Sequence, residues 1–195
     1  METRQTLKDR ALASLKGKWG TGALATLVYL IVAVGVSFIP MVSMVSQLVT
    51  IPLGWGFSVL FLSIARQQQV GVGNLFDGFS DYGRVFFTQL LVGIYTFLWA
   101  LLLIVPGIIK GYSYALTPYI LRDEPELKYN AAIERSMQMM QGHKMELFLL
   151  HLSFLGWWLL CILTLGIGLL WLSPYQSTTQ AHFYEVLRAE QTMEA

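Results

Sequence analysis

The sequence predicts an all-α membrane protein: six transmembrane helices in three hairpins, each preceded by a cytoplasmic amphipathic helix, so that the chain forms a three-fold internal repeat. Three observations carry this. Of the 13 Lys and Arg and 12 Asp and Glu in 195 residues, all but Lys110 fall in four windows, 1–20, 66–84, 122–146 and 185–195. The stretches between them, 21–65, 85–121 and 147–184, are each too long for one crossing of roughly 20 residues and long enough for two. Glycines and prolines recur at matching places in the three stretches. The chain then forms a single polytopic domain over 1–195, with repeat units of about 1–65, 66–125 and 126–195.

Composition fits this class and excludes others. A chain with 55% hydrophobic and 13% charged residues has little material for a separate soluble domain. A net charge of +1, with bases and acids intermixed, is no nucleic-acid footprint. The single cysteine, Cys161, lies inside an apolar stretch and has no partner for an intramolecular disulfide. Met1 to Lys18 is polar and reads as a helix, so the first crossing is expected to act as its own insertion signal.

Twelve of the 13 basic residues share one side of a three-hairpin arrangement, and the positive-inside rule makes that side the cytoplasm. Both termini are expected there. If 85–121 were one helix it would run about 55 Å at 1.5 Å per residue, against roughly 30 Å of hydrocarbon. It would also meet Pro106-Gly107, a pair that breaks helices.

The repeat is visible once the units are aligned. Gly17-Lys18, Gly83-Arg84 and Gly142-His143-Lys144 each close a polar stretch and open an apolar one. Pro40 follows Gly17 at the same distance as Pro106 follows Gly83, and Pro52 and Pro118 follow those prolines at a second shared distance; Gly166 and Pro174 stand at the corresponding places of a shorter third unit. Each polar stretch carries an apolar stripe: Leu7, Ala11, Leu12 and Leu15; then Phe76, Phe79 and Tyr82; then Tyr129, Ala132, Ile133, Met137 and Met140. Such segments are expected in the headgroup plane. The Met-rich stripe also suits docking of a lipid or protein partner, because methionine adapts to irregular surfaces.

Two crossings are too polar to face lipid all round. Helical spacing over 110–119 puts Lys110, Ser113, Tyr114 and Thr117 on one face and Tyr112 and Tyr119 on another, and 173–182 carries Tyr175, Gln176 and His182 among hydroxyl residues. Polar groups within a membrane need protein or water partners. These helices are therefore expected to pack centrally, either as hydrogen-bonded glue or around a small cytoplasm-open cavity near Pro118 and Pro174. Lys110, Tyr112, Tyr114, Thr117, Tyr119, Tyr175 and Gln176 are the candidate ligand-binding residues. Snorkelling to the headgroups is the plainer role for Lys110. His151 and His182 lack the spacing of a helical metal pair, and no catalytic motif, phosphate loop or cofactor motif is present.

The run Ile104-Val105-Pro106-Gly107-Ile108-Ile109-Lys110, followed by Tyr112, Tyr114, Tyr119, Asp123 and Pro125, resembles a bacterial family of integral membrane proteins catalogued as domain of unknown function 975. Leu163-Thr164-Leu165-Gly166-Ile167-Gly168, Pro174-Tyr175 and Phe183-Tyr184 extend the resemblance through the last hairpin. It implies a multi-pass protein of the bacterial inner membrane and carries no catalytic role with it. The three hairpins also look like those of mitochondrial carriers in architecture, without their acidic-basic signature. The reading that follows is a non-enzymatic protein, with no cofactor, metal or nucleic-acid partner. It would bind or move a small-molecule or lipid ligand, an amphiphile for example, through that cavity. The alternative is a structural or adaptor protein that recruits a partner through its cytoplasmic helices.

Overall fold

A computed structural model describes residues 3–37 and 43–194, and among them every regular element is helical. Thr3 begins the first helix, α1 (Arg4–Leu15), by accepting a hydrogen bond from the Thr6 amide at 3.2 Å. Leu7, Ala11, Ser14 and Leu15 form its buried face. After α1 the chain turns through Gly17, whose φ of 81° is left-handed backbone that glycine adopts without strain. It enters α2 (Trp19–Ser37) at a bend of 96°. Residues 38–42, Pro40 among them, lie outside the described residues, and the next helix is α3 (Ser43–Ala65).

α3 is the centre of the molecule. It packs on α1, α2, α4, α6, α10 and the segment that follows it, and 56% of its apolar window is buried, against 17% for α4 (Tyr82–Leu102). The segment after α3 departs from expectation. Residues Val72–Phe79 form a 3-10 helix docked along the flank of α3, in place of the expected α-helix. Phe76, Phe79 and Tyr82 do form an outward row of rings with centroids 6.3 and 6.2 Å apart. The opposite side brings Leu75 and Gly78 onto α3 backbone to backbone.

α4 reverses into α5 (Ile104–Tyr114) across a single extended residue, Leu103, three residues before the expected Pro106-Gly107 break. Gly107 lets the two helices touch, since a Cβ there would lie 2.6 Å from the Ala100 Cα. α6 (Thr117–Asp123) continues α5 after a short break, and α7 (Asn130–Met139) crosses behind it. Ala132, Ile133, Ser136, Met139 and Met140 are buried, so the apolar side of α7 is spent on the protein's own core. α8 (Lys144–Leu152) and α9 (Leu155–Leu163) lead through Leu165 and Gly166, both left-handed, into α10 (Leu169–Glu194).

Among the described residues three stretches are long and apolar enough to cross a membrane: Ser46–Ala65, Tyr82–Leu102 and Lys144–Leu163. The bent pair of α1 and α2 would make a fourth only if its two helices formed one span. α5 falls short by length and α10 by the polar run from Ser173 to His182. A belt of exposed apolar side chains, from Leu101 to Val105 and from Leu155 to Trp171, is what a bilayer covers and water does not. Gly142, like Gly17, is left-handed between a polar and an apolar helix; Gly83 lies inside α4 without that turn.

Candidate functional site

The polar face of 110–119 is not one helical face, because the helix breaks between Tyr114 and Thr117. Pro118 has no amide hydrogen, which leaves the Tyr114 carbonyl without its helical donor. Thr117 Oγ1 replaces that donor at 2.8 Å. Ser136 of α7 bridges the gap, donating to the Ser113 carbonyl at 2.8 Å and accepting from the Leu116 amide at 3.3 Å. Gln180 of α10 reaches the Ala115 carbonyl at 3.3 Å, and Trp55 of α3 donates to the Pro118 carbonyl at 3.0 Å. The polar residues here meet the backbone groups that a broken helix exposes, as an apolar medium demands.

The seven candidate ligand residues are not gathered around one void. Lys110 extends its ammonium over the Trp99 ring, 5.0 Å from the centroid. Tyr112 lies against Phe148 and His151, its hydroxyl 3.4 Å from Nδ1. Tyr114 is buried, Thr117 closes the helix break, and Tyr119 is stacked on Tyr184 at 5.2 Å. Tyr175 meets Phe154 edge-on at 5.1 Å, and Gln176 is half-buried on α10. Lys110 is half-buried, and a cation over an aromatic face contributes about 0.5–1 kcal/mol when exposed and about 2 kcal/mol when desolvated, so Lys110→Gln is expected to lower stability by about 1–2 kcal/mol. Thermal unfolding of the purified protein checks this; a larger loss would mean that the charge has another partner.

What the fold does gather is a charge network. Arg66, the first residue beyond α3, sends Nη1 to Asp123 Oδ1 at 2.7 Å and Nη2 to Asp123 Oδ2, while Nε and Nη2 reach Glu185 Oε1 at 3.0 and 2.7 Å. Arg188 Nη1 and the Tyr184 hydroxyl also meet Asp123 Oδ2, at 2.9 and 2.8 Å. The Asp123 side chain is 6% exposed. Burial alone would raise its carboxyl, but the hydrogen bonds from Arg66 and Tyr184 and the charges of Arg66 and Arg188 outweigh burial and hold it below the usual carboxylate range. The hydrogen bonds to Asp123 and Glu185 raise Arg66 further above its ordinary value. Two arginines and two carboxylates balance, so the cluster offers no charge to a ligand and acts as a clamp across α3, α6 and α10. A signal for it stood in the sequence: Arg66 and Glu185 are the first charges after two of the uncharged stretches, and Asp123 is the second after the other.

Two apolar cavities flank this framework. One, of about 340 Å³, lies between α9 and α10 beneath the α1–α2 bend and is lined by Leu12, Trp19, Trp157, Cys161, Trp171 and Tyr175, among others. Another, of about 350 Å³, lies between α5 and α8 and includes Ile108, Tyr112, Lys144 and Phe148. Lys8 connects α1 to the α8–α9 junction by donating to the Ser153 carbonyl at 3.1 Å.

The profile of a family described as "Protein of unknown function (DUF975)" matches residues 1–110 and 100–191. The chain belongs to this family. DUF975 membership and the apolar helices together mark a membrane protein whose family carries no assigned activity. Searches of curated proteins and of solved structures return no match.

Proposed function

We propose that this DUF975 protein is a three-unit, six-crossing protein of the bacterial inner membrane, with cytoplasmic termini. It binds an amphiphilic molecule drawn from the bilayer and performs no chemistry on it. The groove between α9 and α10 carries the reading. Its lining is almost wholly apolar, and Trp157, Leu160 and Trp171 on its rim are each about half exposed, so a chain can enter sideways from lipid. The proposed ligand lies away from the polar faces of α5, α6 and α10, whose hydrogen bonds go to one another and to α3 and α7. Recruitment of a partner by the Met-rich helix is less favoured, because Met139 and Met140 are buried.

The six-crossing count is supported by taking α5 and α6 as one broken span. Ile104 to Leu121 covers 18 positions, a length within the range of about 17–25 residues that crosses the hydrocarbon, and it leaves Arg122 and Asp123 outside. The upper part of α10 would be the sixth crossing, its polar residues facing protein. One charge cluster drawing on α3, α6 and α10, the second arm of each hairpin, supports a common cytoplasmic end. In a Cys161-free background, single cysteines at 106 and 166 are expected to react with an impermeant thiol reagent on intact cells, while those at 70 and 130 stay silent. Labelling at 130 would overturn this topology.

The groove itself is tested in detergent. A ligand that binds only the folded state at a hundredfold excess over its Kd stabilises by about 2.7 kcal/mol, or a rise in Tm of about 5 °C or more for a chain of this size. Dioleoylphosphatidylcholine is expected to raise the Tm of the parent and not that of Leu160→Trp, whose indole fills the groove from the lipid side. Equal shifts for both would place the bound chain elsewhere.

A further inference from the structure

A polar cleft lies one turn of α1 away from the apolar groove. On α1, Arg4, Lys8 and Leu12 are spaced four residues apart and so lie along one stripe of the helix. Leu12 lines the apolar groove. Arg4 and Lys8, with Thr3, Gln5 and Ser153, line a second cleft of about 350 Å³ against the α8–α9 junction. Two contacts tie cleft to groove. The Lys8 ammonium sits 4.3 Å above the Phe154 ring, and that ring meets Tyr175, which lines the groove, at 5.1 Å.

Among the described residues the charges of the cleft lack a counterion. Arg66, Arg84, Arg135 and Arg188 each have a carboxylate partner, whereas among the described residues none lies within ion-pair distance of Arg4 or Lys8. The neighbouring carboxylates are engaged: Asp9 Oδ1 accepts from Gln5 Nε2 at 3.1 Å, and Glu146 Oε2 pairs with His143 Nδ1 at 3.1 Å. Lys8 has spent one donor on the Ser153 carbonyl and keeps two for a ligand. The 96° bend sets α1 across the direction of α2, the orientation of a helix lying among headgroups.

We propose that the Arg4–Lys8 cleft is the headgroup subsite of the α9–α10 groove and that the occupant is an anionic phospholipid, its phosphate on Arg4 and Lys8 and one acyl chain against Leu12, Trp157 and Trp171. This rests on the groove binding an amphiphile, as proposed above. An anionic headgroup supplies the missing counterion. A choline headgroup carries its own cation and brings it to two others. The cytoplasmic leaflet, where anionic lipids meet basic side chains, is where this helix would lie.

The test measures, by thermal unfolding in detergent, the lipid concentration that gives half of the maximal Tm rise. The probes are dioleoylphosphatidylglycerol, dioleoylphosphatidylcholine and inorganic phosphate. The parent is expected to take the glycerol lipid at roughly tenfold lower concentration than the choline lipid and to ignore phosphate. Arg4→Gln and the double variant Arg4→Gln/Lys8→Gln are expected to reduce that preference, the double variant to none, while still responding to the choline lipid. Arg4→Gln changes an exposed residue and keeps the test intact should the double variant fail to fold. Equal potency of the two lipids on the parent, or a preference that survives Arg4→Gln and the double variant, would overturn the headgroup subsite and leave the apolar groove standing. Stabilisation by inorganic phosphate as strong as that by the glycerol lipid would make the cleft an anion site and overturn its assignment to lipid. Failure of both lipids to stabilise the parent would remove the groove and the subsite together.

Discussion

Replacing Asp123 by Asn is expected to destabilise the folded protein by roughly 3–5 kcal/mol, the cost of removing one partner from a buried ion network. One oxygen of Asp123 receives three donors, from Arg66, Arg188 and Tyr184. Asparagine keeps one acceptor, removes the charge and turns an amide donor toward the Arg66 guanidinium. Two arginines would then share a single carboxylate, Glu185. Because the folded Asp123 carboxyl is held below its ordinary value, its contribution is complete above the unfolded pKa near 3.9. That contribution is lost as pH falls through the lower folded value. Other carboxylates titrate in the same range, so the quantity to follow is the gap between parent and Asp123→Asn in unfolding free energy, which should narrow on acidification below about pH 4. A gap that is constant from pH 7 to pH 3 would mean that the charge of Asp123 carries none of the effect. A double-mutant cycle with Arg66→Met is expected to return a coupling above about 1 kcal/mol.

Much of this arrangement was legible in the chain. Where one side chain's environment is set by its neighbours in sequence, reading does best: of the apolar stripe of α1, Leu7, Ala11 and Leu15 are buried and Leu12 is exposed, and the charge windows end where the apolar helices begin. The sequence makes Thr117 and Tyr119 candidate ligand residues and leaves open whether the polar crossings meet as glue or around a cavity; the bonds of Thr117, Ser136 and Gln180 are of the first kind. What escaped was non-local. Arg66, Asp123 and Glu185 were read as markers of topology, because nothing in a linear pattern says that three window edges converge on one point. Phe76, Phe79 and Tyr82 repeat at three-residue steps, a spacing that suits a 3-10 helix, where i and i+3 eclipse, as well as an α-helix. Only the partner surface on α3 decides between them. The groove is formed by residues from both ends of the chain, Leu12 and Trp19 with Trp157 and Trp171, and so has no contiguous signature.

The docking of the 3-10 helix rests on two glycines, and substitutions there are expected to be among the most damaging in the protein. A Cβ on Gly56 would lie 2.0 Å from the Leu75 carbonyl oxygen, and one on Gly78 would lie 2.2 Å from the Pro52 carbonyl oxygen. Both obstacles are backbone, so no side-chain rotation relieves them and a whole segment must shift. Overpacking commonly costs 1–3 kcal/mol, and without a rotamer escape Gly56→Ala and Gly78→Ala should each reach roughly 3 kcal/mol or more. The two contacts hold the same pair of segments, which gives a further expectation. Once one alanine has pushed them apart the second meets less resistance, so the double variant should cost less than the sum of the singles. Gly93→Ala in α4 is the control: its Cβ meets nothing within 4 Å, and removing a helical glycine should gain about 0.5–1 kcal/mol. The shift would not stay local. The 3-10 helix delivers the chain to α4, whose first residue, Tyr82, donates to the Leu48 carbonyl at 3.1 Å. If Gly56→Ala instead unfolds like the parent while Gly93→Ala gains stability, residues 72–79 are not seated on α3, and the segment lies in the headgroup plane as its aromatic spacing alone suggests.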